Sequence, residues 1–249
     1  MLQDSLKPNG LINYFCRMKA LLSGATSGIG KAIAIELARA GFALAFVSRS
    51  QEKAEDLLSV LSQFGNTEHF YVFGDHTQPS VIDQFNNEVR LRWKEPDLII
   101  NNAGIYEAGF PSQMSEAQLL SQLEQNFWHA FRITQPWLNS FKDRSSGKLI
   151  FIGSMGTRQT RTDAAAYTIS KGMLEQYAKV LAEELRDYGV AVTRIIPGSI
   201  NTASWDQSDV PLQLFVQPED IARLVLSLLN LSKTSWVEEL IIRPLNKNW

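Results

Sequence analysis

The chemistry legible in this chain centres on Tyr167 and Lys171, four residues apart in Tyr167-Thr168-Ile169-Ser170-Lys171. On a helix, residues i and i+4 share a face, so a phenol and an ammonium at this spacing can point at one place. A phenol with a pKa near about 10 is a poor acid or base at neutrality, and a neighbouring cation favours the phenolate and brings proton transfer within reach. Ser154 closes the apolar run Phe151-Ile152-Gly153-Ser154 and can offer its hydroxyl to a carbonyl held nearby. A Tyr and a Lys at this spacing also occur on helices that do no chemistry, so the reading depends on the elements around them. The pattern predicts a helix over 164–188, with Asp163 as its N-cap and Gly189 as a left-handed terminator.

The elements that must position these groups start at Met18. Residues 1–17 lack periodicity and read as an N-terminal extension outside the fold, with Met18 a candidate start; 18–249 read as one domain. Ala20-Leu21-Leu22-Ser23 reads as a strand, Gly24-Ala25-Thr26-Ser27-Gly28-Ile29-Gly30 as a glycine loop, and Lys31–Ala40 as an apolar helix closed by Gly41. Glycines let backbone approach a pyrophosphate closely, and the free N–H groups and dipole of a helix N-terminus attract its charge. Such a loop can also be a tight connection, but the second strand at Phe42–Ser48 favours dinucleotide binding.

Together, the G-x3-G-x-G loop, Asn101-Asn102-Ala103-Gly104, Ser154 and the Tyr167–Lys171 pair resemble the classical short-chain dehydrogenases/reductases, over about residues 18–245. Ser23 stands where that family normally has Thr, keeping a hydroxyl. The resemblance implies a Rossmann-like, doubly wound α/β sheet with helices on both faces. It implies Tyr167 as proton donor, Lys171 supporting its phenolate and the nicotinamide ribose, Ser154 polarising the carbonyl, and Asn126 kinking its helix and holding a relay water. Cofactor contacts are expected from Gly24, Thr26, Ser27, Gly28, Ile29, Gly30, Asn102, Ala103, Gly104, Pro197, Gly198, Ile200 and Thr202, with Asp75 and His76 flanking the adenine. Helix 164–188 carries a wide apolar stripe through Met173, Leu174, Tyr177 and Val180, as in relatives that form homodimers or homotetramers through the corresponding helices.

The end of the second strand reads the adenosine ribose. An acid there suits NAD, whereas an arginine nearby accommodates the 2′-phosphate of NADP. Ser48 repels no phosphate and Arg49 can pair with one, unless Arg49 is a solvated surface charge; the expected cofactor is NADP(H) rather than NAD(H). Further helices are expected at 50–65, 79–94, 115–140 and 218–231, and strands at 68–74, 148–154, 190–196 and 236–242. A substrate lid is expected over Ala203–Gln217, including Trp205. Arg158 and Arg161, in the loop before the Tyr167 helix, are either solvated or in contact with an acidic part of the substrate.

Composition narrows the classes. A net charge of −2 over 249 residues argues against nucleic acid or an anionic membrane as partner. One cysteine, Cys16, cannot form an internal disulfide, and three scattered histidines give no zinc spacing, so no metal site is expected. No apolar run approaches the roughly 18 residues of a membrane span. A soluble, cytoplasmic enzyme acting on a small carbonyl or alcohol is expected; the rival is a non-catalytic protein of the same fold that senses NADP(H).

Overall fold

The computed structural model describes residues 18–65, 68–159, 161–202 and 211–246. The expected extension at 1–17, Trp205 and most of the expected lid lie outside them. Strands and helices alternate: β1 (Lys19–Leu22), α1 (Gly28–Arg39), β2 (Ala43–Ser48), α2 (Gln51–Ser62), β3 (Phe70–Phe73), α3 (Pro79–Trp93) and β4 (Leu98–Asn101). Then come α4 (Glu116–Leu123), a π-helical turn (Glu124–Trp128), α5 (His129–Thr134), α6 (Leu138–Asp143), β5 (Lys148–Ile152), α7 (Ala165–Arg186), β6 (Ala191–Pro197), α8 (Pro218–Leu229) and β7 (Glu239–Ile242).

All seven strands pair in parallel, in the order β3-β2-β1-β4-β5-β6-β7. Strands covered on both faces need apolar residues at consecutive positions, and β1, β2 and β4 are buried along nearly their whole length. Leu22, Phe46, Ile100 and Ile152 face one half of the core with α1, α2 and α8; Leu21, Val47, Ile99 and Phe151 face the other with α3, α5 and α7. The sheet is the doubly wound, Rossmann-like fold. Its strand order reverses between β1 and β4, which opens a crevice at their carboxyl ends.

Two local expectations are corrected. Asp163 is not the N-cap of α7: that position is Ala164, because the Asp163 carboxylate is taken by Arg161 and its carbonyl by the Gly109 N–H. The helix ends as expected, with Gly189 at φ +69 and the Val190 N–H returning to the Leu185 carbonyl. The single helix expected over 115–140 is broken: α4 begins with a Ser115/Gln118 capping box, widens into the π-helical turn around Asn126, and is interrupted again at Gln135–Trp137, where Pro136 cannot donate to the helix. Of the expected lid, residues 211–217 are pinned rather than free, since the Asn201 N–H donates to Val216 O at 2.9 Å and the Val216 N–H to Ser199 O at 3.1 Å.

Candidate active site

The crevice is a cleft of about 860 Å³. One wall is the β1–α1 connection. Ser27 is the N-cap of α1 but makes no side-chain capping bond, and no acid lies in the first turn, so the helix presents free N–H groups and an uncompensated positive dipole end. Gly30 is required by packing: a Cβ there would lie 1.9 Å from the Gly24 carbonyl oxygen. Ser23 justifies its hydroxyl by accepting from the Asn102 and Ala103 N–H groups, both at 2.9 Å, which fixes the carboxyl end of β4 against β1. The Asn102 amide donates to Ser23 O and Gly24 O at 3.1 Å, and Asn101 reaches Thr134 Oγ1 at 2.9 Å, so these amides tie the strand ends as expected.

Of the residues expected at the cofactor, Gly24, Thr26, Ser27, Gly28, Ile29, Ser48, Arg49, His76, Asn102, Ala103, Gly104, Pro197, Gly198, Ile200 and Thr202 line the cleft. Gly30 stands behind the wall. Asp75 is also displaced: its carboxylate accepts from the Thr77 N–H at 2.9 Å and caps a turn. Burial opposes that charge, but the Thr77 hydrogen bonds and the cationic charge of His76 and Arg49 outweigh it and hold the Asp75 pKa below its ordinary value. Ser48 is buried and donates to Ser50 O at 2.8 Å, leaving a neutral strand end beside Arg49. His76 packs edge-on against His129, with ring centroids 5.1 Å apart; burial lowers the pKa of both, that of His129 well below the ordinary value.

At the other wall, Ser154, Tyr167 and Lys171 converge on the same cleft. The Ser154 hydroxyl is hydrogen bonded to the phenol and also accepts from the Gly156 N–H at 3.1 Å. Burial raises the Tyr167 pKa, which the Ser154 hydrogen bond and the Arg161 charge only partly offset. The phenol therefore keeps its proton at neutrality. Lys171 Nζ donates to Ile152 O at 3.1 Å, and burial brings its pKa down to about 8.

That lysine yields a stability prediction. Its folded-state pKa of about 8 lies below the ordinary 10.5, so the folded protein binds fewer protons than the unfolded chain between these values. Folding stability attributable to Lys171 is lowest below pH 8 and rises as pH increases through the window. Lys171→Met should remove the penalty, raising stability at neutral pH by on the order of 2 kcal/mol after the lost Ile152 hydrogen bond is deducted. Urea unfolding of both proteins at neutral and alkaline pH checks this, and the variant's advantage should shrink as pH rises.

Asn126, completely buried, works through its side chain. Its Oδ1 accepts from the Ile105 N–H at 2.8 Å, and its Nδ2 donates to Ile105 O, Gln122 Oε1 and Ser170 Oγ at 3.1, 3.0 and 2.9 Å. Ser170 in turn donates to Tyr167 O at 2.8 Å. With both polar atoms hydrogen bonded inside the protein, the side chain ties the Asn102–Ile105 loop to the Tyr167 helix. Gly104 is small for the same reason: a Cβ there would lie 2.7 Å from Asn126 Oδ1 and 3.0 Å from Lys171 Nζ.

Arg158 does not line the cleft. It pairs with Glu175 of α7 and, at 2.5 Å, with Glu239 of β7; buried Arg194 joins the cluster through Glu239 at 3.1 Å and Glu238 at 2.7 Å. This network clamps the loop after Ser154 to the helix carrying Tyr167 and Lys171. Glu175→Ala would leave Glu239 to bridge the two guanidinium groups beside a buried vacancy, and should lower stability by roughly 1–3 kcal/mol in urea unfolding.

Sequence reasoning missed Ser170, Gln122, Tyr106 and Arg243. Tyr106 stacks edge-on against Tyr167 at 5.2 Å and, with Arg243, lines the cleft. The spacing of Ser170, next to Lys171 on the same helix, carried no signal until Asn126 was folded against it.

A short chain dehydrogenase family model matches residues 18–210. The chain belongs to that family. It is 28% identical over 232 residues to 2,3-dihydro-2,3-dihydroxybenzoate dehydrogenase of Bacillus subtilis (strain 168), covering 85% of this chain and 88% of that protein. Among solved structures it resembles an alcohol dehydrogenase from the archaeon Thermococcus sibiricus in complex with 5-hydroxy-NADP, at 28% identity and TM-score 0.83, covering 92% of this chain and 97% of the other. A variant of the actinorhodin polyketide ketoreductase with NADPH is similar at 26% identity and TM-score 0.82, covering 93% and 98%. The family, the fold and the site geometry define an oxidoreductase acting on alcohol or carbonyl groups.

Proposed function

We propose that the protein is an NADP(H)-dependent oxidoreductase exchanging hydride between a nicotinamide and a small carbonyl or secondary alcohol, of the 3-oxoacyl, hydroxy-acid or related keto type. The observation that carries this is the convergence of Ser154, a protonated Tyr167 and a buried Lys171 on one cleft whose other wall is the glycine loop and bare N-terminus of α1. The residues fit the cofactor: Gly24, Thr26, Ser27, Gly28 and Ile29 would hold the pyrophosphate, and Arg49, with no acid at Ser48, the 2′-phosphate. Asn102–Gly104, Lys171 and the Pro197–Thr202 segment would hold the nicotinamide end. NADP and NADPH in the two solved relatives support the same choice.

The cofactor supplies or accepts the hydride. The chain does the rest. In reduction the Ser154 hydroxyl orients the carbonyl oxygen and the Tyr167 phenol gives it a proton. Lys171, with its pKa near 8, stabilises the phenolate left behind and can return a proton to it. Asn126 acts as a positioning residue. The exposed apolar side chains Ile169, Met173 and Val180 on α7 and Leu120 on α4 support a homodimer or homotetramer, with these helices at its interface. Loss of NADPH absorbance on adding members of a carbonyl panel tests the activity.

A further inference from the structure

The cleft contains more positive charge than this reading uses. Among the described residues that line it are Arg49, Arg161, Lys171 and Arg243, with no Asp or Glu, although the whole chain is net negative at −2. Arg49 is assigned to the adenosine end and Lys171 to the phenol. The other two lie towards the reacting end. Arg161 sits over Tyr106, which contacts Tyr167, but its charge is already matched by a two-point ion pair with Asp163.

Arg243 is different. It immediately follows β7, and its backbone packs beside Gly198, where a Cβ would lie 3.4 Å from Arg243 Cα. It has no ion-pair or hydrogen-bond partner among the described residues. Ser154 follows β5, two strands away in the sheet, so the two residues enter the cleft about 10 Å apart at the backbone, within reach of an extended arginine side chain. A guanidinium with no partner among the described residues, beside a partly enclosed cleft, attracts anions and grips a carboxylate through two parallel hydrogen bonds.

We propose that Arg243 is a substrate-specificity residue and that the substrate is an oxo or hydroxy compound carrying a carboxylate a few bonds from the reacting carbon. One cation unpaired among the described residues matches one negative charge; a phosphate dianion would call on a second, and the charge of Arg161 is already balanced. The proposal rests on the hydride-transfer reading for the placement of the carbonyl, and gives Arg243 the acid contact that the sequence left open for Arg158 or Arg161.

The test uses the protein–NADP⁺ complex, in which a ketone can bind but no hydride can move. Calorimetry would compare pyruvate, acetoacetate and levulinate, in which carbonyl and carboxylate stand progressively further apart, each with its methyl ester. At least one acid should bind roughly 10–150-fold more tightly than its ester, the preference weakening with added salt. Arg243→Ala should remove that preference without changing NADP⁺ affinity, and Arg243→Lys should keep part of it. Equal binding of acid and ester, no acid binding, or a preference that survives Arg243→Ala overturns the proposal, as does an Arg243→Ala variant whose main defect is in NADP⁺ binding. An acid preference in a protein that turns over no carbonyl would instead sink the hydride-transfer reading and leave the anion site standing.

Discussion

Replacing Tyr167 by Phe should lower turnover roughly 10²–10⁴-fold while NADPH still binds. The reason is in the geometry: the ring, its contact with Tyr106 and the helix are kept, and only the transferable proton and the Ser154 hydrogen bond are lost. Because burial holds the Tyr167 proton through neutrality, the wild-type protein should reduce carbonyls without a prior protonation of the phenol, and its reductive rate should fall only as pH rises into the alkaline range. Steady-state kinetics with the best carbonyl, together with NADPH titration of the variant, separate loss of chemistry from loss of cofactor. Near-normal turnover would remove Tyr167 as the acid.

The second large effect concerns cofactor choice. A hydrogen bond to a charged group contributes about 1.5–3 kcal/mol, so one arginine–phosphate contact from Arg49 should favour NADP(H) over NAD(H) by roughly 10–150-fold. Ser48 is buried at the end of β2 and donates to Ser50 O, and no carboxylate stands at that strand end to accept from a ribose hydroxyl. Ser48→Asp would repel the phosphate and supply that acceptor, while Arg49→Ala would remove the phosphate's partner. The double variant should therefore reverse the preference. Dissociation constants for NADPH and NADH at one fixed ionic strength check it, since the contact is screened by salt. Equal wild-type affinity for the two cofactors would make Arg49 an ordinary surface charge.

What could be read in the sequence was what depends on local pattern. The alternation of apolar strands with 3.6-period helices gives the parallel sheet, and the spacing of Gly24, Gly28 and Gly30 marks the loop, although the Asn102, Ala103 and Thr202 atoms that crowd it lie far along the chain. Tyr167 and Lys171 were legible because a helix relates them across one turn. Contacts made by residues far apart in the chain were not. Arg158 reads as a loop charge near the substrate until β7, 81 residues later, brings Glu239 to it. Arg243 reads as the end of a strand until that strand settles on the edge beside β6 and turns it into the cleft. Asp163 has the composition of an N-cap, yet Arg161, two residues away, competes successfully for its carboxylate. The Asn126 interruption was expected from resemblance, but its mechanism depends on Gln122, Ile105 and Ser170, drawn from three segments.

Hydride and proton transfer in the cleft, rather than cofactor sensing alone, is the activity expected of this protein. Its most direct test follows the near-ultraviolet absorbance of NADPH with purified wild-type protein and a panel of ketones, oxo acids and oxoacyl esters, while the product is quantified by chromatography. Carbonyl-dependent loss of NADPH, with an equal amount of alcohol formed, is the expected result. A protein that binds NADPH tightly, shown by its fluorescence, yet oxidises it with no carbonyl in the panel would contradict the account.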